Sequence, residues 1–480
     1  MKATPQVAFP NLGHYMVVML NDLPTIRDRL NREHVVLAKA QRLLSCKAPV
    51  TFGVHGDWGA GKTSFLKQLR YALDQSIDAD DETPSASLKT LNAKSRVVTV
   101  WFEAWRYQHE PAPVIALIQE IRRSVTAAAK IKNKAKKLGE VAFRTVLYSL
   151  DDAAKLLRLE AMPLGPGRIQ ETGENYEKEN LQQRLGSDGI QSHIEQAIAM
   201  VLDGLGAKDG RLVVFIDDLD RCSPESAFRL LEGLKIYLAV SRCIFVIGMN
   251  HQVVVDSISS CIPAASFPED VPSRSAFAKM RAEAYLEKIC TSIERLVPVS
   301  DPLRVVREWT SSDALRTDLM KYQANPMMVQ NFLPPNPRRI KAFVNELQRN
   351  HQSLRAIRDD SLDTVELAAL IIISYMYQFH SELFQRWQFN PGFLTYLRKW
   401  VLSSEPKSSA EWPPYLTCLE LPVRYKKSEQ TEPVVRYERE SMYPDPYAQN
   451  IFWIAPLVAD GGVTERVASD IVAKLYGNPV

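Results

Sequence analysis

Three apolar runs along the chain have the composition of strands that are buried on both faces. Residues 50–54 are β-branched and aromatic, residues 212–216 are apolar without interruption, and residues 243–249 are nearly so. A fourth segment, residues 96–106, begins as a β-branched strand and ends in two tryptophans and two charged side chains. Because continuous apolar strands are typical of parallel sheets covered by helices, the pattern predicts an α/β fold.

Apolar residues at helical spacing occupy much of the remaining chain. Residues 64–73 are predicted to form a helix directly after the first strand, and residues 25–44 and 275–296 are predicted to form two more. The most apolar run, residues 365–376, contains an acidic residue and is shorter than the roughly 20 residues that a membrane span needs. We therefore predict a buried core helix there and no transmembrane span.

The 480-residue chain is predicted to have three parts. Residues 1–300 hold the strand-forming segments of an α/β core, residues 301–400 form a helical lid domain, and residues 401–480 form a small C-terminal module with an irregular pattern. Residues 107–210 separate two strands by more than a compact fold requires, so they are predicted to be a largely helical insertion.

The segment between the first strand and its helix satisfies the pattern G-x-x-x-x-G-K-[ST], which is typical of loops that bind nucleotide phosphates. Its backbone amides are expected to converge at the helix N-terminus, where partial positive charge favours a triphosphate. Lys62 adds a full charge for the β and γ phosphates, and the Thr63 hydroxyl is placed to ligate Mg2+. The predicted nucleotide-binding residues are Gly56, Asp57, Trp58, Gly59, Ala60, Gly61, Lys62, Thr63 and Ser64.

Acidic residues end the second buried strand. In open α/β sheets this strand end lies beside the ligand, so Asp217 is assigned to the Mg2+ shell and Asp218 to orienting or activating the attacking water. The roles can be permuted among Asp217, Asp218 and Asp220. Asp220 can instead pair with Arg221 or cap the helix that follows, and Glu225 is a more distant alternative as the base.

Three further polar residues are predicted to contact the phosphates. Asn250 follows the third buried strand, where many P-loop ATPases place a group that senses the γ-phosphate, although an Asn in a turn is the alternative. Arg338 and Arg339 lie near one end of a later helix, and their guanidinium groups suit phosphate oxygens, although surface charge is the alternative. With Lys62 and Asp218, these residues form the predicted catalytic set.

Composition narrows the function classes. The formal net charge of +3, from 59 Lys and Arg against 56 Asp and Glu, is too small to indicate a nucleic-acid surface. A basic run within residues 122–158 is typical of a solvated helix face, with nucleic acid or an acidic partner as the alternative. Six cysteines without a C-x-x-C pair, and no secretory signal, predict a cytoplasmic protein without a zinc site. No N/T-K-x-D motif follows the acidic strand, which favours ATP over GTP.

Taken together, these motifs resemble the KAP family of P-loop ATPases. The resemblance extends over about residues 20–350 and depends on the order of five segments as well as on their sequences. The segments are GDWGAGKTS at 56–64, WFEAWR at 101–106, VFIDDLDRC at 214–222, YLEK at 285–288 and NPRRIKAFVN at 336–345.

The resemblance implies an ASCE-type sheet in which the strand before Asn250 lies between the phosphate-loop strand and the acidic strand. It assigns nucleotide contacts to Lys62, Thr63, Asp217 and Asp218, with ATP and Mg2+ as ligands. Asn250 departs from the Asp expected at its strand end. Family members often carry membrane spans in the insertion, and none is evident here. Several bacterial members are tied to defence against phages or plasmids together with operon-encoded partners, which implies a regulator or assembler of a multiprotein defence complex.

Three functions are consistent with these observations. The first is an ATP-hydrolysing switch in which Arg338 or Arg339 closes onto the phosphates. The second is a scaffold that uses bound nucleotide only to hold its fold, and the third is a nucleic-acid-stimulated motor or loader that uses the basic insertion. A homo-oligomer, in which a second subunit supplies Lys288 or an arginine, also stays open.

Overall fold

The computed structural model describes two units of the chain. One unit comprises Pro24–Val297, and the other comprises Met1–Leu23 together with Pro298–Val480. Most of the predicted insertion, including the basic run beyond residue 131, and most of residues 401–480 lie outside the described residues. Apart from isolated residues and short pieces, the described ranges are 19–75, 97–110, 112–131, 210–262, 273–321, 335–357, 361–389 and 463–477.

The first unit contains a five-stranded parallel sheet in the order β2-β3-β4-β1-β5. Because β1, β3 and β4 are parallel, the segments that follow them emerge at the same edge of the sheet, and β4 lies between the other two. The ASCE-type arrangement predicted above is confirmed. The strands are β1 (Val50–His55), β2 (Val97–Glu103), β3 (Arg211–Asp217), β4 (Cys243–Met249) and β5 (Ser292–Arg295).

Both faces of this sheet are covered, as the uninterrupted apolar runs predicted. Along β3, Val214 and Ile216 belong to one hydrophobic cluster, whereas Val213 and Phe215 belong to the other. The first cluster is closed by α3 to α6 and the second by α1 and α2. These helices are α1 (Glu33–Ser45), α2 (Lys62–Asp74), α3 (Pro113–Ile131), α4 (Pro224–Tyr237), α5 (His251–Cys261) and α6 (Arg274–Ile289).

The predicted helix over residues 25–44 is wrong in its first eight residues, because α1 begins only at Glu33. Before α1, the short side chains of Thr25 and Asp28 accept hydrogen bonds from nearby backbone amides. The Arg27 amide donates to Thr25 Oγ1 at 3.0 Å, and Asp28 accepts from the amides of Leu30 at 2.9 Å and Glu33 at 2.8 Å. Such bonds compete with helical ones, so this segment is irregular although its apolar spacing is helical.

The predicted helix over residues 275–296 is wrong at its C-terminal end. The apolar face of α6 ends at Ile289, and the following residues form the edge strand β5. β5 pairs in parallel with β1, and the bonds from Thr291 N to Thr51 O and from Leu296 N to His55 O, both 2.8 Å, extend the pairing. The open edge of β1 supplies partners that the local sequence does not reveal.

The second unit is mainly helical. The predicted core helix is confirmed, since every residue from Leu367 to Met376 is buried and Asp363 and Glu366 form a capping box at its start. Within the described ranges, no helix is both long and apolar enough to cross a bilayer. The helices are α7 (Pro302–Trp309), α8 (Asp313–Lys321), α9 (Pro337–Ile357), α10 (Thr364–Phe379), α11 (Ser381–Phe389) and α12 (Val463–Tyr476). Three short antiparallel strands, ordered β6-β8-β7, are β6 (Lys407–Ser408), β7 (Arg424–Lys426) and β8 (Val434–Arg436).

A buried polar network joins α9, α10 and α12. The Tyr476 hydroxyl lies 3.0 Å from both Glu346 Oε1 and Asn350 Oδ1. The Asn350 amide donates to Ser374 Oγ at 3.0 Å and to Glu346 Oε1 at 3.1 Å. These bonds satisfy polar groups that the helices bury, and they fix the position of α12 on the unit.

Candidate functional site

The phosphate loop connects β1 to α2 and has the backbone that its glycines allow. Gly59 has φ 81°, and Gly61, which immediately precedes α2, has φ 88° and ψ 28°. Residues with a Cβ rarely adopt this left-handed region. The Gly56 amide donates to Met249 O at 3.2 Å, so the start of the loop is attached to the end of β4. The turn predicted from the glycine spacing is present.

Arg32 holds the far side of this loop. Its side chain is buried, and its guanidinium group donates to Ala60 O at 2.9 Å and to Val297 O at 2.5 Å. Burial lowers the pKa of Arg32, an effect that the nearby Asp28 opposes. Ser64 makes a similar attachment, because its hydroxyl accepts from the Thr25 amide at 3.1 Å. Sequence reasoning missed Arg32, since no pattern within the chain shows that it meets a carbonyl 28 residues away.

Lys62 lies at the centre of the site and is buried. Its ammonium group is 2.9 Å from Gly56 O, 3.4 Å from Asp57 O and 3.3 Å from Asp220 Oδ2. The same Asp220 oxygen accepts from the Trp58 indole nitrogen at 2.8 Å, while the Trp58 ring is 57% exposed. The structure thus brings the phosphate loop and the acidic strand end together, as predicted.

Asp217 is the acid at the end of β3, and it is 2% exposed. Within the described part of the chain its buried Oδ1 has no hydrogen-bond partner. Burial raises the pKa of Asp217 to about 6, and a hydrogen bond with Thr63 partly offsets this shift. A Cβ at Gly248 would lie 2.9 Å from Asp217 Oδ1 and 2.8 Å from Leu66 Cδ1, so the bare backbone of β4 makes room for the carboxylate. An unpaired carboxylate oxygen beside a hydroxyl fits a hard divalent cation.

Asp218 begins a short 3-10 turn, Leu219–Arg221, and has φ 56°. Its carboxylate pairs with Arg221 Nε at 3.1 Å. Burial raises the pKa of Asp218, and the Arg221 charge opposes this rise. The next helix is capped by Ser223, which accepts from the Ser226 amide at 3.3 Å. Pairing with Arg221 and capping of the next helix were alternatives for Asp220. In the structure, Asp218 pairs with Arg221, and Ser223 caps the helix.

Asn250 directly follows β4 and caps α5. Its side-chain oxygen accepts from the amides of Gln252 at 3.1 Å and Val253 at 3.5 Å. Beside it, His55 Nδ1 accepts from the His251 amide at 3.0 Å, and burial lowers the pKa of His55. The ends of β1 and β4 are thereby joined through side chain and backbone.

The end of β2 adds a polar and aromatic border to this edge of the sheet. Glu103 is the register partner of Asp217 on β3 and forms an ion pair with Arg106. Trp101 stacks on Phe215 with ring centroids 6.1 Å apart. Trp105, by contrast, is 48% exposed.

Arg338 and Arg339 belong to the second unit, at the start of α9. Asn336 Oδ1 accepts from their backbone amides at 3.1 and 3.3 Å. Arg338 Nε pairs with Asp22 at 2.6 Å, and the Arg339 guanidinium lies 5.4 Å from the ring centroid of Phe379. Further along α9, the Asn345 amide group exchanges two hydrogen bonds with the backbone of Leu20, at 2.8 and 2.9 Å.

Comparison with known proteins agrees with this geometry. The sequence matches the KAP family P-loop domain over residues 32–354, which is 323 of the 480 residues. No curated protein matches the sequence. The matched range includes the phosphate loop, the acidic end of β3 and the start of α9. The chain therefore belongs to the KAP family of P-loop NTPases.

Proposed function

We propose that this protein is a Mg2+-dependent ATPase that works as a nucleotide-controlled switch. The observation that carries the proposal is the environment of Asp217. Its buried Oδ1 has no hydrogen-bond partner among the described residues, although the carboxylate makes a hydrogen bond with Thr63, the residue next to Lys62. Burying an ionised carboxylate with an unpaired oxygen raises the free energy of the folded state unless a cation neutralises the charge.

The chain's own residues have distinct roles in the proposal. The amides of residues 56–64 bind phosphate oxygens, and Lys62 adds the mobile charge. Thr63 and Asp217 hold Mg2+, which would neutralise charge on the triphosphate during transfer. Asp218 orients or activates the attacking water, and its elevated pKa makes it a better proton acceptor than an exposed carboxylate.

The proposal includes three further contacts with the phosphates. Asn250 would reach the γ-phosphate only through its amide nitrogen, since its oxygen caps α5. Arg338 and Arg339 are proposed to contact the phosphates from a lid formed by residues 301–400, and their support is the family match, which extends to residue 354. The scattered cysteines support a cytoplasmic setting. On family resemblance alone, we propose regulation of a multiprotein bacterial defence complex with operon-encoded partners.

The proposal is tested by nucleotide binding and turnover in matched variants. We expect Lys62→Ala to weaken ATP binding by roughly 100-fold, because it removes charge-assisted bonds to phosphate. Asp218→Asn should keep binding and lose at least about tenfold in turnover, as expected for a group that acts on the water. Glu283→Gln, at an exposed position of α6, is the control and should change neither quantity.

Two results would contradict the proposal. Turnover that is unchanged in Lys62→Ala would place hydrolysis elsewhere. Tight ATP binding without any turnover, with Mg2+ and partner proteins present, would instead support the nucleotide-stabilised scaffold.

A further inference from the structure

Asp220, in the turn after β3, accepts two side-chain hydrogen bonds from the phosphate loop. Its side chain is 1% exposed, and both donors, Trp58 Nε1 and Lys62 Nζ, approach the same oxygen, Oδ2, at 2.8 and 3.3 Å. The donors lie 162 and 158 residues away in sequence. A buried carboxylate with these two donors fixes the position of the loop relative to the turn after β3.

The Lys62 ammonium group has three protons and three acceptors around it. Two of the acceptors, the carbonyls of Gly56 and Asp57, are neutral and belong to the loop backbone, and the third is the charged Asp220. A phosphate oxygen that bonds Lys62 must therefore replace one of them. Asp220 is the acceptor that a phosphate would displace, because two negative groups at one ammonium repel each other.

We infer that Asp220 is a positioning residue that competes with nucleotide phosphate for Lys62 and that Trp58 holds Asp220 when Lys62 moves away. We call these three residues the Lys62–Asp220–Trp58 latch. The inference rests on the proposed function, because it requires a nucleotide at the phosphate loop. Trp58 matters because its indole nitrogen still satisfies the buried carboxylate after the ammonium has left, which lowers the cost of the exchange.

The latch also reaches the residue assigned to the attacking water. Asp220 lies in the 3-10 turn that begins after Asp218, and Arg221 of that turn pairs with the Asp218 carboxylate. Asp218 has φ 56°, a backbone conformation that a non-glycine residue keeps only when its surroundings hold it there. Release of Asp220 by Lys62 therefore loosens a constraint on Asp218. Binding of the triphosphate and placement of the water-activating carboxylate are coupled through one turn.

The test is a double-mutant cycle on nucleotide affinity. Asp220→Asn keeps the shape and an acceptor oxygen but removes the competing charge, and we expect it to bind a non-hydrolysable ATP analogue about tenfold more tightly. Trp58→Phe keeps the ring but removes the indole donor, so Asp220 depends more on Lys62, and we expect affinity to fall several-fold. In the Asp220→Asn background, Trp58→Phe should change affinity little, because no buried charge is left to hold.

The opposite signs separate the latch from a purely structural role. If Asp220 and Trp58 only support the loop, both single variants bind the analogue more weakly, and the latch is overturned while the proposed function stands. If neither the wild-type protein nor any variant binds the analogue, both fail. If Asp220→Asn does not fold, Trp58→Phe tests the inference by itself, because it leaves the hydrophobic clusters intact. Unchanged affinity of Trp58→Phe for the analogue would also overturn the latch. Calorimetry measures affinity, and hydrogen exchange of residues 218–222 measures whether the analogue loosens the turn.

Discussion

Replacing Asp217 by Asn should stabilise the protein in the absence of metal and nucleotide, although it removes a proposed Mg2+ ligand. The Asp217 pKa is raised from 3.8 to about 6, a difference of roughly 2.2 units, and each unit corresponds to about 1.36 kcal/mol. Above pH 6 the protein's free energy of unfolding is therefore about 3 kcal/mol lower than it would be with a neutral group at this position. An unpaired amide in the variant offsets part of this gain, so we expect a net increase of about 1 to 3 kcal/mol at neutral pH.

The pH dependence follows from the direction of the shift. Because the pKa is higher in the folded state, the stabilising contribution of protonated Asp217 is fully present below pH 3.8 and is lost as the pH rises through about 6. The advantage of Asp217→Asn over the wild-type protein should thus be largest at neutral pH, and its ionisation component should fall to about half near pH 5.

The measurement is hydrogen exchange of amides in β1 and β3, with EDTA present, compared between wild type and variant at each pH. This readout gives the free energy of opening for the first unit alone, which matters because the chain has two units. Added Mg2+ should protect the wild-type amides and leave those of the variant unchanged, since binding to the folded state stabilises it. Glu283→Gln, which removes an exposed carboxylate, is the matched control. Equal stability of wild type and Asp217→Asn at neutral pH, or a difference that grows on acidification, would refute the reasoning.

Three further substitutions test the contacts that hold the site and the second unit. Arg32→Met should lower the free energy of unfolding of the first unit by about 2 to 4 kcal/mol and weaken nucleotide binding, because two carbonyls lose a charged donor. Thermal unfolding and calorimetry measure this, and the exposed Arg27→Met should leave both unchanged. Asn345→Ala should expose residues 19–23 to proteolysis by removing both bonds to Leu20, and Asn345→Asp, which keeps only the acceptor, should also lose protection. Protection in both variants that equals wild type would contradict this role. Tyr476→Phe should destabilise the second unit by about 1 to 2 kcal/mol in urea unfolding, and no change would show that its hydroxyl contributes nothing to the buried network.

The parts of the site that the sequence predicted are those whose requirements are local. A glycine at positive φ, a Lys-Thr pair at the start of a helix and an acid at the end of an apolar strand each depend only on residues a few positions away in the sequence. The parallel order of the sheet was also predictable, although only through the resemblance to a family. Asp217 and Lys62 are in the predicted place for this reason.

Contacts between distant segments could not be predicted in the same way. The sequence around Asp220 offers Arg221 as its nearest cation, yet the fold brings Lys62 and Trp58 to it and leaves Arg221 to Asp218. β5 is four residues long, too short for a periodic pattern, and it is a strand because β1 offers it an open edge. Arg32 follows the same principle, since its burial depends on carbonyls supplied by two other segments.

Gly248 offers a route to study this protein in living cells. Because an added methyl group would meet the Asp217 oxygen on one side and Leu66 on the other, Gly248→Ala alters the acid's surroundings without changing any charge or any residue in the phosphate loop. Such an allele would keep the electrostatic surface seen by binding partners. A phenotype in that strain could then be attributed to altered packing around Asp217 and Leu66 and not to a changed charge.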